Sequence, residues 1–161
     1  MKTIVAMGLN RTIGNRGEIP WYIPEDFGWF KKMTSNSISG GILIMGSTTY
    51  CGVGILPNRF TYILTNDSFR LNQGRGTYHE FITLDGVLER ILRGEIDTNK
   101  VWVCGGAKVY NSLIPMCDEV YVTIVLDEFA GDVFMPEFES QFPNSEIIKE
   151  TKQFWVVRYW R

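Results

Sequence analysis

One histidine and three cysteines in 161 residues leave little material for several kinds of chemistry. His79 stands alone, so neither a His-x-x-x-His metal site nor a multi-histidine cage can form. Cys51, Cys104 and Cys117 are odd in number and none belongs to a Cys-x-x-Cys pair. That spacing indicates neither a disulfide framework nor a zinc ribbon, and no metal is expected. Unpaired thiols suit a reducing compartment, so the expected location is the cytoplasm. His79 lies between Tyr78 and Glu80 with no nucleophile tied to it, which disfavours a Cys–His or Ser–His–Asp hydrolase. An excess of positive charge is also missing: 16 basic residues face 18 acidic ones, for a net charge of −2. Non-specific nucleic-acid binding needs a basic surface, so no nucleic-acid partner is expected. A small anionic ligand stays open, because a local cluster can act against the net sign. No apolar run approaches the ~18 residues of a membrane helix, and no membrane partner is expected. The run Met1–Leu9 breaks at Asn10-Arg11 and reads as a buried strand rather than a leader. No repeat, low-complexity tract or linker interrupts the chain, so residues 1–161 are expected to form one domain.

What is present alternates. Apolar runs at Thr3–Leu9, Gly41–Met45, Thr61–Leu64, Val101–Cys104 and Val120–Val125 read as buried strands. Several are continuous rather than alternating, as in a sheet covered on both faces. A terminal strand pair is predicted over Glu146–Thr151 and Phe154–Tyr159. Helical patterns fall between them. Pro24–Met33 has proline at the first helical position, where a missing N–H costs nothing. Gly28 inside it costs about 1 kcal/mol relative to Ala. Ser47–Tyr50 follows the second strand directly, Leu84–Arg93 has Thr83 as a cap and Gly94 as a stop, and Ala107–Ile114 ends at Pro115. Strand–helix alternation gives an α/β fold with a mainly parallel sheet.

Three features carry possible chemistry. Glycine punctuates two strand–helix junctions, Met45-Gly46-Ser47-Thr48-Thr49 and Cys104-Gly105-Gly106-Ala107-Lys108. Such junctions let phosphate oxygens approach backbone N–H groups, although glycine often serves only a tight turn there. Two junctions in one small α/β chain favour a ligand with two phosphates. Neither fits Gly-x-Gly-x-x-Gly or Gly-x-x-x-x-Gly-Lys-Ser/Thr, so a Rossmann fingerprint and a P-loop are unsupported. Asp26 stands in a first helical turn among Trp21, Phe27, Trp29 and Phe30. It is either a solvated carboxylate at a helix dipole or a lone acid in an aromatic pocket, and spacing alone does not choose. Arg59 follows Leu56-Pro57-Asn58, as a solvated loop residue or as a fork for a carboxylate, with Lys31 and Lys32 as further basic residues.

Read together, these segments resemble dihydrofolate reductase. The resemblance runs through Ala6–Gly14, Ile19–Lys31, Ile44–Tyr50, Leu56–Arg59, Val103–Tyr110, Tyr121–Thr123 and Gly131–Pro136, in family order over nearly the whole chain. It implies an eight-stranded, mostly parallel sheet with an antiparallel C-terminal strand and helices on both faces. It implies hydride transfer from NADPH to C6 of 7,8-dihydrofolate, giving 5,6,7,8-tetrahydrofolate. It also implies a monomer that takes antifolate inhibitors at the substrate site.

The resemblance also implies roles. Asp26 would promote protonation of N5, supported by Thr123, with Trp21 anchoring a mobile loop over Asn10–Ile23. Phe27, Phe30, Val53 and Leu56 would enclose the pterin and aminobenzoyl groups. Ile4, Val5 and Cys104 would contact the pterin, Cys104 as a wall and not a nucleophile. Arg59, with Lys31 nearby, would clamp the glutamate tail. Ala6, Ile13, Gly14 and Tyr110 would hold the nicotinamide end of the cofactor. Gly46, Ser47, Thr48, Thr49, Gly105, Gly106, Ala107, Lys108 and Val109 would receive the pyrophosphate, and Thr65 and Asn66 the 2′-phosphate end. A cis peptide is implied at Gly105–Gly106. Gly14 and Gly17 would give the loop its φ freedom, and Asp132 would hold it.

The chain departs from the family at three of these positions. Ser47 and Lys108 stand where many members place Arg, and Asn66 replaces a common hydroxyl. These departures leave the preference for NADPH over NADH less fixed by the sequence than the reaction itself, with Arg70 and Arg75 as unplaced candidates to compensate. The terminal hairpin turns near Lys152-Gln153 and leaves no long loop to brace an open lid, so a closed lid is expected. Two alternatives remain at this level: a reductase of the same fold acting on a pyrimidine intermediate of flavin synthesis, and a non-catalytic pterin-binding structural protein.

Overall fold

In a computed structural model, which describes residues 1–35 and 40–161, the apolar runs become the centre of a sheet. The elements in chain order are β1 (Lys2–Gly8), β2 (Thr12–Gly14), α1 (Pro24–Thr34), β3 (Gly41–Gly46), α2 (Ser47–Val53), β4 (Arg59–Leu64), α3 (Ser68–Leu71) and β5 (His79–Ile82). They continue with α4 (Leu84–Leu92), β6 (Val101–Val103), α5 (Ala107–Leu113), β7 (Glu119–Val125), β8 (Val133–Phe134), β9 (Asn144–Glu150) and β10 (Phe154–Trp160). Eight strands form one sheet in the order β5-β4-β3-β6-β1-β7-β10-β9. Pairing is parallel from β5 to β7, and β10 runs antiparallel to both β7 and β9. The predicted antiparallel C-terminal strand is β10.

Side chains alternate across a strand, so one sheet feeds two cores. Val5, Met7, Ile44, Val101, Val103, Val120 and Val122 point to the face covered by Val87 of α4 and Val109, Tyr110 and Leu113 of α5. Ile4, Leu43, Met45, Trp102 and Tyr121 point to the opposite face, against Trp29, Phe30 and Met33 of α1 and Tyr50 of α2. Continuous apolar runs were therefore the right sign of a sheet with helices on both faces. Thr83 caps α4 as expected, its hydroxyl accepting from the Gly86 N–H at 3.0 Å, and Gly94 ends the region at φ +74°.

The sequence reading misses three strands and one helix. β5 reads His-Glu-Phe-Ile, and a charged residue hides its pattern. Glu80 is buried on the α4 side and is neutralised by Arg90 at 2.7 Å and Arg75 at 3.0 Å. His79 stacks on Tyr50 at 5.8 Å and meets Phe81 edge-on. β2 and β8 pair only with each other and are too short to show a period. The one-turn α3 starts where the Asp67 carboxylate accepts from the Phe69 N–H at 2.9 Å. Elsewhere boundaries shift by one or two residues, except α2, which runs to Val53 rather than Tyr50. Among the described residues, no helix is long and apolar enough to cross a membrane.

Candidate active site

A cavity of about 370 Å³ opens beside the central strands, between α1 and the loop before it. β1 supplies Ile4, Val5 and Ala6, β7 supplies Thr123, and the strand–helix junctions supply Thr49, Gly105 and Gly106. α1 supplies Asp26, Phe27, Trp29, Phe30 and Lys31, and the loop supplies Ile13, Ile19 and Trp21. Met45, Val53, Leu56, Arg59, Cys104 and Tyr110 complete the wall.

Asp26 is its one carboxylate. Pro24 opens α1 and Asp26 follows in the first turn, its N–H donating to the Ile23 carbonyl at 3.0 Å. The side chain turns inward, and the residue is 5% exposed. That rules out the solvated reading. Thr123 lies at the sheet centre, in register with Ala6 of β1 and Val156 of β10, and its hydroxyl donates to Asp26 Oδ1 at 2.8 Å. Burial raises the Asp26 pKa above its ordinary value, while the Thr123 hydrogen bond and then the Lys149 ammonium pull it down. The net direction is up, so this acid holds its proton more readily than one in water.

Two indoles border this acid. The buried Nε1 groups of Trp21 and Trp29 have no acceptor among the described residues. Both rings line the cavity wall. Trp21 also packs on Phe129, with ring centroids 4.9 Å apart, which fixes the end of the loop. Trp29 was not among the site residues expected from sequence. Its position three residues after Asp26, on the same helix face, is the signal that could have found it. Met45 and Ile19 were also missed.

Arg59 is buried rather than solvated, at 5% exposed. It begins β4, donates from Nε to the Pro57 carbonyl and from Nη1 to Thr34 Oγ1, both at 3.0 Å, and still borders the cavity. A guanidinium fixed on two sides and open on a third is a ready partner for a carboxylate. Cys104 Sγ sits near the Trp102 carbonyl at 3.4 Å, and burial pushes its thiol pKa far up. Thiolate chemistry is therefore disfavoured, and Cys104 is a wall.

The two glycine junctions lie side by side. The Gly46 N–H donates to the Gly105 carbonyl at 2.8 Å, and the Gly105–Gly106 peptide is cis. Gly105 has φ +100°, and a Cβ there would strike the Tyr110 ring at 3.0 Å. A Cβ on Gly106 would meet Thr49 Oγ1 at 3.4 Å, so bare backbone faces that hydroxyl across the cavity edge. Gly46 and Gly106 precede α2 and α5 without any side-chain cap, which leaves the first helical N–H groups available. Tyr110 spends its hydroxyl on the Ile4 carbonyl at 2.9 Å, so it offers the cavity only its ring.

Some expected residues lie elsewhere. Gly46, Ser47, Thr48, Thr65, Asn66, Ala107 and Lys108 are not in the cavity wall; they lie at or just beyond the carboxyl ends of β3, β4 and β6. Val109 is a correction: its side chain is buried in the core on the α4–α5 face, against Gly46. Gly14 is another. It lies in β2, paired with Val133, and has no positive φ. The left-handed positions of the loop are Arg11, Arg16 and Gly17. Asp132 holds the loop as expected, accepting from the Arg16 N–H at 3.3 Å on both oxygens.

Comparison with known proteins gives one answer. A family model described as dihydrofolate reductase matches residues 1–154. A dihydrofolate reductase of Bacillus subtilis is 36% identical over 137 residues, covering 84% of this chain and 75% of that protein. One from Haemophilus influenzae is 30% identical over 135 residues, covering 83% and 77%. A solved dihydrofolate reductase from Enterococcus faecalis, complexed with NADP(H) and RAB-propyl, superposes with a TM-score of 0.76 at 28% identity. That match covers 99% of this chain and 95% of the other.

Proposed function

Because the chain belongs to the dihydrofolate reductase family, it is an enzyme that reduces 7,8-dihydrofolate to 5,6,7,8-tetrahydrofolate with NADPH, and we propose that Asp26 is its proton-controlling residue. The bound dihydronicotinamide supplies the hydride, which goes to C6, while N5 takes a proton. The residues present suit such a cofactor. Ala6, Ile13 and the Tyr110 ring offer an apolar slot for a flat ring, and Gly106 with Thr49 offers bare backbone and a hydroxyl at the slot's exit. The alternative of a reductase in flavin synthesis is not favoured.

The observation that carries the assignment is the buried Asp26–Thr123 pair, which holds the only acid in the cavity wall among the described residues. A carboxylate there accepts from a pterin ring N–H and amino group, and burial raises its pKa above that of an acid in water. The Trp21 and Trp29 rings line the same wall. Phe27, Phe30, Val53 and Leu56 exclude water around the aromatic parts of the substrate, and Ile4, Val5 and Cys104 form its floor. Arg59 takes a tail carboxylate, with Lys31 at the cavity mouth. Antifolate inhibitors occupy this same cavity. All of these residues meet in one cavity, which supports residues 1–161 acting as one domain; a monomer is what the family resemblance implies, and the three free thiols suit the cytoplasm.

The test is turnover of Asp26→Asn, followed by loss of nicotinamide absorbance with dihydrofolate present. Asparagine keeps the hydrogen bond from Thr123 but holds no acidic proton. Turnover should fall by about a hundredfold or more at neutral pH and recover partly in acid, where solvent protonates N5. Unchanged neutral turnover removes Asp26 from this role.

A further inference from the structure

A dinucleotide whose nicotinamide lies in the cavity is longer than the cavity. In an open α/β sheet, ligands lie across the carboxyl ends of the strands. The far end of the cofactor therefore continues past Gly106 and Thr49 along the carboxyl ends of β3, β4 and β5. NADPH differs from NADH only by a phosphate on that far ribose, a near-dianion at neutral pH. The side chains that terminate β3 and β4 there, Ser47, Thr48, Thr65 and Asn66, are all uncharged.

Three arginines belong to this end of the sheet, and two are already engaged. Arg75 and Arg90 both bond Glu80, on the face covered by α4. Arg70 is on the other face. His79 and Phe81 alternate with Glu80 and point to the α2 side, where Tyr50 packs against both. The Arg70 guanidinium lies over the Phe81 ring, 5.5 Å from its centroid. Its Nη2 reaches Cys51 Sγ at 3.7 Å. Cys51 follows Thr48 by three residues and Ser47 by four, so all three share one surface of α2. Asp67 Oδ2 stands 3.9 Å from Nε, while Asp67 Oδ1 is committed to capping α3. Among the described residues, no oxygen accepts from the terminal guanidinium nitrogens of Arg70. The group is held by the Phe81 ring, the Asp67 carboxylate and the Cys51 sulfur, is one-third exposed, and leaves Nη1 without a partner among the described residues.

We propose that Arg70, set by Phe81 and Asp67 against the Cys51 face of α2, binds the 2′-phosphate of NADPH and selects it over NADH. A planar fork suits two phosphate oxygens, which the neighbouring hydroxyls cannot neutralise. The inference rests on the cofactor assignment above. Lys108, at the start of α5 on the other junction, would face the pyrophosphate, which both cofactors share.

The experiment compares kcat/KM for NADPH and NADH, at saturating dihydrofolate, in the parent, Arg70→Leu, Arg70→Lys and Lys108→Ala. Arg70→Leu should lower the NADPH value by about tenfold to a hundredfold and leave the NADH value within about twofold. Arg70→Lys, which keeps the charge and fills the same space, should fall between parent and Arg70→Leu, and it carries the test if the leucine variant does not fold. Lys108→Ala should lower both values alike. A parallel readout is competition by adenosine 2′,5′-bisphosphate against 5′-AMP: the first should lose affinity in both Arg70 variants and the second should not. An unchanged NADPH-to-NADH ratio in both Arg70 variants, with dihydrofolate still reduced, overturns the role of Arg70 alone. Failure of the parent to oxidise either cofactor with dihydrofolate overturns the cofactor assignment beneath it.

Discussion

A carboxylate taken out of water favours its proton, and Asp26 shows this in stability as well as in turnover. Its pKa in the folded chain lies above the ordinary 3.8, chiefly because of burial. As pH rises above 3.8 the unfolded chain gives up this proton more readily than the native state does, so the native state is penalised relative to it. Below 3.8 both states are protonated and this penalty vanishes. Asp26→Asn should melt higher than the parent at pH 7, and the gap should close as pH falls toward and below 3.8, because only the parent titrates. Melting curves over that range check it, and a gap independent of pH would contradict the burial argument. Arg59 shows the same limit of sequence reading at this scale. Its position after Leu56-Pro57-Asn58 was legible, but its burial was not. Burial depends on Thr34 of α1, 25 residues away in sequence, which supplies the oxygen that makes an inward guanidinium tolerable.

At the scale of elements, α1 does two jobs with one compromise. It carries Asp26, Phe27 and Phe30 into the cavity, and it has glycine at position 28. A Cβ on Gly28 would meet nothing within 4 Å, and its φ is not positive. Gly28→Ala should therefore stabilise the fold by about 1 kcal/mol, the helix-propensity difference, raising Tm by about 2–4 °C. Denaturant and thermal melts measure this directly; a loss of stability would mean that the alanine methyl meets an obstacle. The well-read elements share a physical trait. β1, β3, β6 and β7 are apolar on both faces because both faces are covered, so hydrophobicity alone marks them. β5 was missed because Glu80 lies inside, and only Arg75 and Arg90, brought from outside the strand, make it acceptable there. β2 and β8 are held by each other rather than by any local preference.

For the whole molecule, the loop over the cavity is tied down at three places. Arg11 anchors its start with Nη1 on Glu139 at 2.6 Å and Nη2 on the Pro136 carbonyl at 2.6 Å. Trp21 anchors its end on Phe129. Its middle rests on the β2–β8 pair and on the Asp132 carboxylate at the Arg16 N–H. These middle ties are few and exposed, which suits a segment that must admit ligands. Asp132→Ala should speed hydrogen exchange at the Arg16 amide and lower kcat by about fivefold, the worth of roughly one hydrogen bond. Tm should stay nearly constant, since the core does not change. Exchange measured with and without NADPH, together with steady-state kinetics, checks this; unaltered exchange at Arg16 would remove Asp132 as the tie.

The sequence by itself determined the class of fold, the family, the lone acid and the two glycine junctions. Each is written in local chemistry: apolar runs, a proline at a helix start, glycine where backbone must come close. The same local chemistry left Asp26 and Arg59 each with two readings and could not place Arg70. Only the tertiary structure decided these, because burial, pKa and free hydrogen-bonding edges are set by neighbours distant in sequence. Thr123 reaches Asp26 across 97 residues, and the stack of Arg70 on Phe81 joins α3 to β5. The scarcity of histidine and cysteine excluded other chemistries at the outset. What remained to be placed was one acid and the Arg70 guanidinium, and placement is a property of the packed sheet.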